Sequence, residues 1–308
     1  MRARGKKMTQ KPFRLGITAE PVRPDLAGLA ATLEHCAALH VDFVELSIYD
    51  MDLIVGGKLR RDQLARLKAV LAGCPLGWSA HGTLGINLFD EERILRHLAV
   101  LRAGLDAAAE IGARNYVLHA GILYGGAALE ASSEALKRQR GHLAAAAEWA
   151  KQRGVVICVE NLFSGYRGRD YTPTPTEIAL EIKALNLPSI RATLDFSHAH
   201  QQATHRKLDM VSECAALAPY AEHLHIHDSF GLPDDIWMYS AGEKLAFGHG
   251  DLHLPVGWGD VPWETLMEKC RFPEGCWGAM ELDLRYWHER EACTASTRQA
   301  FAALQHVS

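Results

Sequence analysis

Short runs of β-branched and apolar residues recur along the chain, each followed by a stretch with apolar residues at three- and four-residue spacing. The first kind reads as buried strands and the second as amphipathic helices. The strand runs are FRLGIT (13–18), VDFVELSI (41–48), LGWSAHG (76–82), RNYVLHAG (114–121), VVICVEN (155–161), IRATLDFS (190–197), HLHIHDS (223–229) and WGAMELDL (277–284). Helical patterns include 26–40, 91–112, 134–153 and 174–186, and several stop at Gly or Pro ahead of the next strand, as in GARN, QRGVV and LNLPSI.

Eight such units, spaced roughly 30 to 40 residues apart, predict an α/β fold: a single-domain (β/α)8 TIM barrel with right-handed crossovers. An open doubly wound sheet would carry a glycine-rich phosphate loop after its first strand, and GITAEPVRPDL is not one. The barrel is expected over 13–308. The basic stretch before it (1–12) has no apolar segment to follow it, so it reads as a disordered tail and not as a secretory signal.

Composition narrows the function classes. A chain of 308 residues suits one barrel, and 48% apolar residues suffice for a large core. A net charge of −4 disfavours nucleic acid as a partner. No apolar run reaches membrane-spanning length, so no membrane partner is expected. The seven cysteines are odd in number and form no CxxC pair, which fits reduced thiols and a cytoplasmic location. Composition leaves homo-oligomer formation open.

The informative pattern is positional. His81, His119, Glu160, Asp195, His225 and Glu281 stand at the last one or two places of successive strands. In a barrel those carboxyl ends form one rim, so the six side chains would converge. Cys158 and Glu160, or Ala279 and Glu281, share a strand face, so each acid continues an inward row. Buried like charges repel unless a cation or protons intervene. Half of the sixteen histidines fall between 198 and 253. Of these, His200, His205, His223, His227 and His249 are assigned supporting or structural places. His35, His40, His97, His142, His288 and His306 fall on helical patterns and receive no role.

The set H-G-T-L-G-I-N-L (81–88), V-L-H-A-G (117–121), V-E-N (159–161), L-D-F-S-H (194–198), H-I-H-D (225–228), D-L-H (251–253) and M-E-L (280–282) resembles the xylose isomerase-like barrel superfamily. That group holds sugar epimerases and isomerases together with the endonuclease IV enzymes. The resemblance implies that Glu160, Asp195, His225 and Glu281 ligate a shared divalent metal. It also implies that His81 and His119 ligate a second ion bridged by Glu160, and that His198, Asp251 and His253 are placed for a third. The implied cofactor is therefore one to three ions of Mn2+, Zn2+, Mg2+ or Co2+.

Two chemistries follow, and a sugar lyase on the same scaffold stays open beside them. In the first, the ion stabilises an enediolate of a small carbohydrate while Glu160 and Glu281 take and return the proton, giving isomerase or epimerase activity. His119, His198, Asn161 and Trp237 are the candidate substrate contacts. In the second, a zinc phosphodiesterase resembling endonuclease IV cleaves DNA at abasic sites. Against it, Leu84 occupies the place of the tyrosine that those enzymes insert into DNA, and the loop YDMDLIVGGKLRRD begins with acids. The segment 229–250 carries Phe230, Trp237, Tyr239 and Phe247, and is expected to form a lid over a small pocket. No phosphate cradle is evident, and Arg167, Arg169 and Lys244 read as solvated loop cations. In GDLHLPVGWG (250–259), the Pro and Gly residues are expected to hold Asp251 and His253 at the rim.

Overall fold

In the computed structural model, which describes residues 13–19, 23–125, 131–163 and 170–307, the expected strand runs pair in parallel. They are β1 (Arg14–Ala19), β2 (Phe43–Ser47), β3 (Gly77–His81), β4 (Asn115–His119), β5 (Val156–Glu160), β6 (Ile190–Asp195), β7 (Ala221–Ile226) and β8 (Trp277–Met280). They close in sequence order, with β8 returning to β1, as a (β/α)8 barrel demands. The tail at 1–12, Arg167 and Arg169 lie outside the described residues.

The helices are α1 (Leu29–Ala38), α2 (Arg61–Leu71), α3 (Ile94–Glu110), α4 (Ser132–Arg153), α5 (Pro175–Leu185), α6 (Phe196–Arg206), α7 (Met210–Leu217), α8 (Ala241–Phe247), α9 (Trp263–Lys269) and α10 (Arg290–Ala300). Their apolar stripes bury against the outward strand residues, such as Val44, Leu118, Ile157, Leu194, Leu224 and Met280, in one continuous core. Local signals fix several ends. Thr174 and Glu177 form a reciprocal capping box at the start of α5, with Pro175 at its first turn. No described helix is long and apolar enough to cross a membrane. All seven cysteines are unpaired and six are buried.

Three boundary differences bear on the site. Phe196 and Ser197, read as strand, open α6, because Asp195 ends β6 and at once caps that helix, accepting from His198 N at 2.7 Å. Ser229 lies beyond β7. Glu281 lies one residue past β8, yet its N–H still reaches Ile226 O at 3.2 Å, so it keeps its inward direction.

Candidate metal centre and adjoining cavity

Register decides which side chains become neighbours. His119 stands beside Glu160 on β4 and β5, and Asp195 stands beside His225 on β6 and β7. His225 is the hub. Its Nδ1 lies 3.2 Å from Glu160 Oε1, 3.3 Å from Glu281 Oε2 and 3.6 Å from Asp195 Oδ2. The four side chains expected to share one ion thus meet. Glu160 Oε2 turns the other way, 3.4 Å from His81 Nε2 and 3.5 Å from His119 Nε2. His198 Nε2 and His253 Nε2 both meet Asp251 Oδ2, at 3.2 and 2.8 Å. All nine expected ligands therefore join one connected assembly.

The trio reaches this place by loop geometry. The Asp228 carboxylate accepts from Ser229 N at 3.0 Å, Gly257 N at 2.8 Å, Val261 N at 3.2 Å and Trp263 Nε1 at 3.1 Å. This staple folds GDLHLPVGWG back onto the end of β7. A side chain at Gly259 would put its Cβ 2.3 Å from Ser229 O, so only glycine allows the approach. His253 itself takes a left-handed backbone, φ 45°. That choice aims Nε2 at Asp251, while Nδ1 donates to Glu281 O at 3.2 Å.

Two contributors were missed or underweighted in the sequence. Glu45, in the middle of VDFVELSI, is fully buried and accepts from His225 Nε2 at 3.0 Å and from Ser79 Oγ at 3.0 Å. Its second oxygen lies 3.0 Å from His223 Nε2. An acid flanked by apolar residues, in FVEL (43–46), was the available signal. His227, given a supporting place, stands inside the cluster: its Nε2 is 3.0 Å from Asp195 Oδ2 and its ring stacks on that of His253 at 4.0 Å.

The donor set suits a cation. Glu160 Oε2 is buried with no hydrogen-bond partner, between two imidazoles. His81 and His198 direct Nδ1 at the carbonyls of Gly82 and Asn161, both at 3.1 Å, and His253 uses Glu281 O in the same way. Donating Nδ1–H to the backbone leaves Nε2 as the nitrogen that could face a cation. His225 reverses the arrangement, giving Nε2–H to Glu45 and Nδ1 to the site. Such outer partners are what orient ligating histidines. Glu160, Asp195, His225 and Glu281 fit one divalent ion, with His81 and His119 on the free oxygen of Glu160 and the trio alongside.

Without an ion, protons balance the charge. Burial opposes the charged forms of His225, His198, His253, Glu160, Asp195, Asp251 and Glu45, and opposite partners overcome it in each. Glu281, Glu160 and Glu45 hold His225 well above its ordinary range despite burial. Asp195 and Asp251 do the same for His198, and Asp251 carries His253 up to about 10. Glu160, Asp195, Asp251 and Glu45 are correspondingly lowered against burial by their histidines. His119 is the exception: burial outweighs Glu160 and pulls it to about 4, so it stands neutral.

Above the cluster lies a cavity of ≈ 500 Å³. Glu160, Glu281, His81, His119, His198, Asp251 and His253 face it, whereas Asp195, His225 and His227 lie behind them. Two expected substrate contacts fall elsewhere. Asn161 is fully buried and spends its amide on the backbone of Asp195, donating to O and accepting from N, both at 2.9 Å. It stitches β5 to β6 and does not line the cavity. Trp237 is 67% exposed and packs edge-on against Tyr239 at 4.2 Å. The segment around it closes on itself, through Lys244 with Asp234 at 2.7 Å and His249 with Pro233 O at 2.8 Å. Its aromatics therefore do not line the cavity as the expected lid would; Tyr49, Leu84, Tyr124 and Phe163 do.

A family model described as xylose isomerase-like TIM barrel matches residues 33–275. No curated protein matches the chain in sequence. Among solved structures, a D-tagatose 3-epimerase-like protein superposes with a TM-score of 0.68 at 17% identity, covering 94% of this chain and 97% of that one. The 3-keto-D-glucoside 4-epimerase of E. coli gives 0.63 at 16% identity, covering 94% and 99%. A Thermus thermophilus protein soaked with zinc chloride gives 0.63 at 22% identity, covering 94% and 97%. At these identities the likeness is one of fold.

Proposed function

The chain belongs to the xylose isomerase-like TIM barrel family, and on that premise we propose that it is a divalent-cation-dependent isomerase or epimerase of a small carbohydrate. The observation that carries this reading is the placement of Glu160 and Glu281. They come from strands three places apart around the barrel, share His225 Nδ1 at 3.2 and 3.3 Å, and both face the cavity. A sugar carbon held between them meets one carboxylate on each side. One takes the proton from carbon and the other delivers it, the pairing that inversion or carbonyl migration needs. A divalent ion held by Glu160, Asp195, His225 and Glu281 would supply Lewis acidity toward the neighbouring carbonyl oxygen. His119, neutral and facing the cavity, and His198 are placed to hold hydroxyl groups. Asn161 positions both Asp195 and His198 from behind, through its side chain and its carbonyl.

The test is proton exchange. Keto sugars incubated with the ion-loaded protein in D2O should gain deuterium at the carbon beside the carbonyl, and Glu281→Gln should stop the exchange. Metal-loaded protein that exchanges none of a broad set of keto sugars would overturn the reading.

A second reading, a zinc phosphodiesterase acting on abasic-site DNA, is favoured by the meeting of the complete trio His198, Asp251 and His253 with the other six ligands. The cavity speaks against it. Asp170 and Asp283 line it, and among the described lining residues there is no lysine or arginine to receive a phosphate backbone. Cleavage of an abasic duplex by the zinc-loaded protein, with no sugar exchange, would establish this alternative.

A further inference from the structure

The cavity has two unlike walls. Carboxylates and imidazoles form one; Tyr49, Leu84, Ile122, Tyr124, Leu162 and Phe163 form the other. The apolar wall begins at the ligands themselves, with the Phe163 ring 4.9 Å from that of His198 and the Tyr49 ring 5.5 Å from that of His81. It runs outward to solvent, where Leu84 is 44% and Tyr124 73% exposed. A free hexose presents hydroxyl groups around its whole edge and would leave much of this wall wet. At ≈ 500 Å³ the cavity is of the size that holds drug-sized molecules, not only a monosaccharide. Two acids, Asp170 and Asp283, stand in its lining, and an anionic appendage beside either of them meets repulsion.

We propose that the substrate is a neutral keto sugar carrying an uncharged apolar substituent, an aryl or alkyl aglycone. The sugar lies against Glu160, Glu281 and His198, and the aglycone lies on the wall from Tyr49 to Phe163. This rests on the isomerase or epimerase reading and adds the substrate class to it. The aglycone gains burial that the free sugar lacks, and it excludes water from the carboxylate pair during proton transfer.

The experiment compares 3-keto-D-glucose with its phenyl glycoside and with the 6-phosphate of the free keto sugar. Exchange of solvent deuterium into each is measured on the ion-loaded protein. The phenyl glycoside should exceed the free sugar in kcat/KM by about 100-fold, mostly through KM, as burial of one aromatic ring predicts. Phe163→Ala and Tyr49→Ala should each shrink that ratio, and Phe163→Leu, which retains apolar bulk, should keep most of it. A free or phosphorylated sugar that matches the glycoside would overturn this inference while leaving the proton-transfer reading intact. Exchange with none of the three, nor with any other keto sugar, would overturn both.

Discussion

The strand-end set (His81, His119, Glu160, Asp195, His225, Glu281) and the loop trio (His198, Asp251, His253) use the same side-chain types and touch each other, but they are held in different ways. The first set is fixed by the parallel ladder, and under it Glu45, Ser79 and His223 form a buried polar floor inside the barrel. Moving one of these residues means breaking register. The trio depends on a helix that starts at Asp195, a left-handed residue at His253, and one carboxylate, Asp228, that gathers four donors. The strand-end set is thus part of the fold, while the trio is attached to it. A loop of this kind can pass from holding a cation to holding a substrate hydroxyl without disturbing the barrel.

The largest effect is expected where the comparison is anchored, at Glu160. Its two oxygens serve His225 and His198 on one side and His81 and His119 on the other. Glu160→Gln should lower turnover by at least about 10³-fold, measured as deuterium exchange. It should also weaken ion binding at the strand-end set, measured by titration of stripped protein. Turnover near that of the native protein would remove Glu160 from the chemistry. Next is Glu45→Gln, which leaves every cavity-facing side chain in place and alters the partner that His225 Nε2 shares with His223 Nε2 and Ser79 Oγ. Ion affinity should fall by about 10 to 100-fold without the cavity changing, and Glu45→Asp should recover less than the native value because it is too short. Equal affinity in Glu45→Gln would show that the floor carries no such role.

How much of this was legible follows the same division. Inward strand rows repeat every second residue, so the acid or imidazole near the end of six of the eight runs could be placed on one rim from the sequence. Glu45 obeys that period too, sharing a face with Phe43 and Ser47, but it lies mid-strand, where an acid gives no hint of the two histidines that meet it from β7. Asn161 and Trp237 lie off the cavity for opposite reasons. Asn161 follows a ligand directly, yet the gap between β5 and β6 turns its amide into a backbone stitch. Trp237 lies in a long aromatic segment, and the pairing of Leu232 with His249 closes that segment on itself, away from the cavity. Which way a loop folds depends on long-range contacts that local spacing does not encode.

Asp228→Asn probes the attached part alone. The substitution keeps the size but replaces one acceptor oxygen by a donor facing backbone N–H groups, at a cost of about 1–3 kcal/mol. Amide exchange should quicken across 251–259 and ion binding by the trio should weaken, while the affinity of the strand-end set stays the same. A uniform loss at both places would mean that the two parts form one unit, and the distinction drawn between them would fail.

The finest distinction is in protons. In the ion-free protein His253 titrates at about 10, because Asp251 outweighs the opposing effect of burial, while burial keeps His119 at about 4. A histidine raised above its ordinary value of 6.5 holds its proton at neutral pH. Its contribution to folding is complete below 6.5 and is lost as pH rises through about 10. An ion taking the trio must therefore displace the proton of His253 as well as that of His198, and its apparent affinity should climb as pH rises toward about 10. An ion taking His119 meets a nitrogen already free and displaces no proton from it at neutral pH. Calorimetry of ion binding in two buffers of different ionisation enthalpy counts the protons released. His253→Gln should lower that count by about one, whereas His119→Gln should leave it unchanged near pH 7. If both substitutions changed the count equally, burial would not set His119 apart from His253, and the trio's separate character would rest on backbone geometry alone.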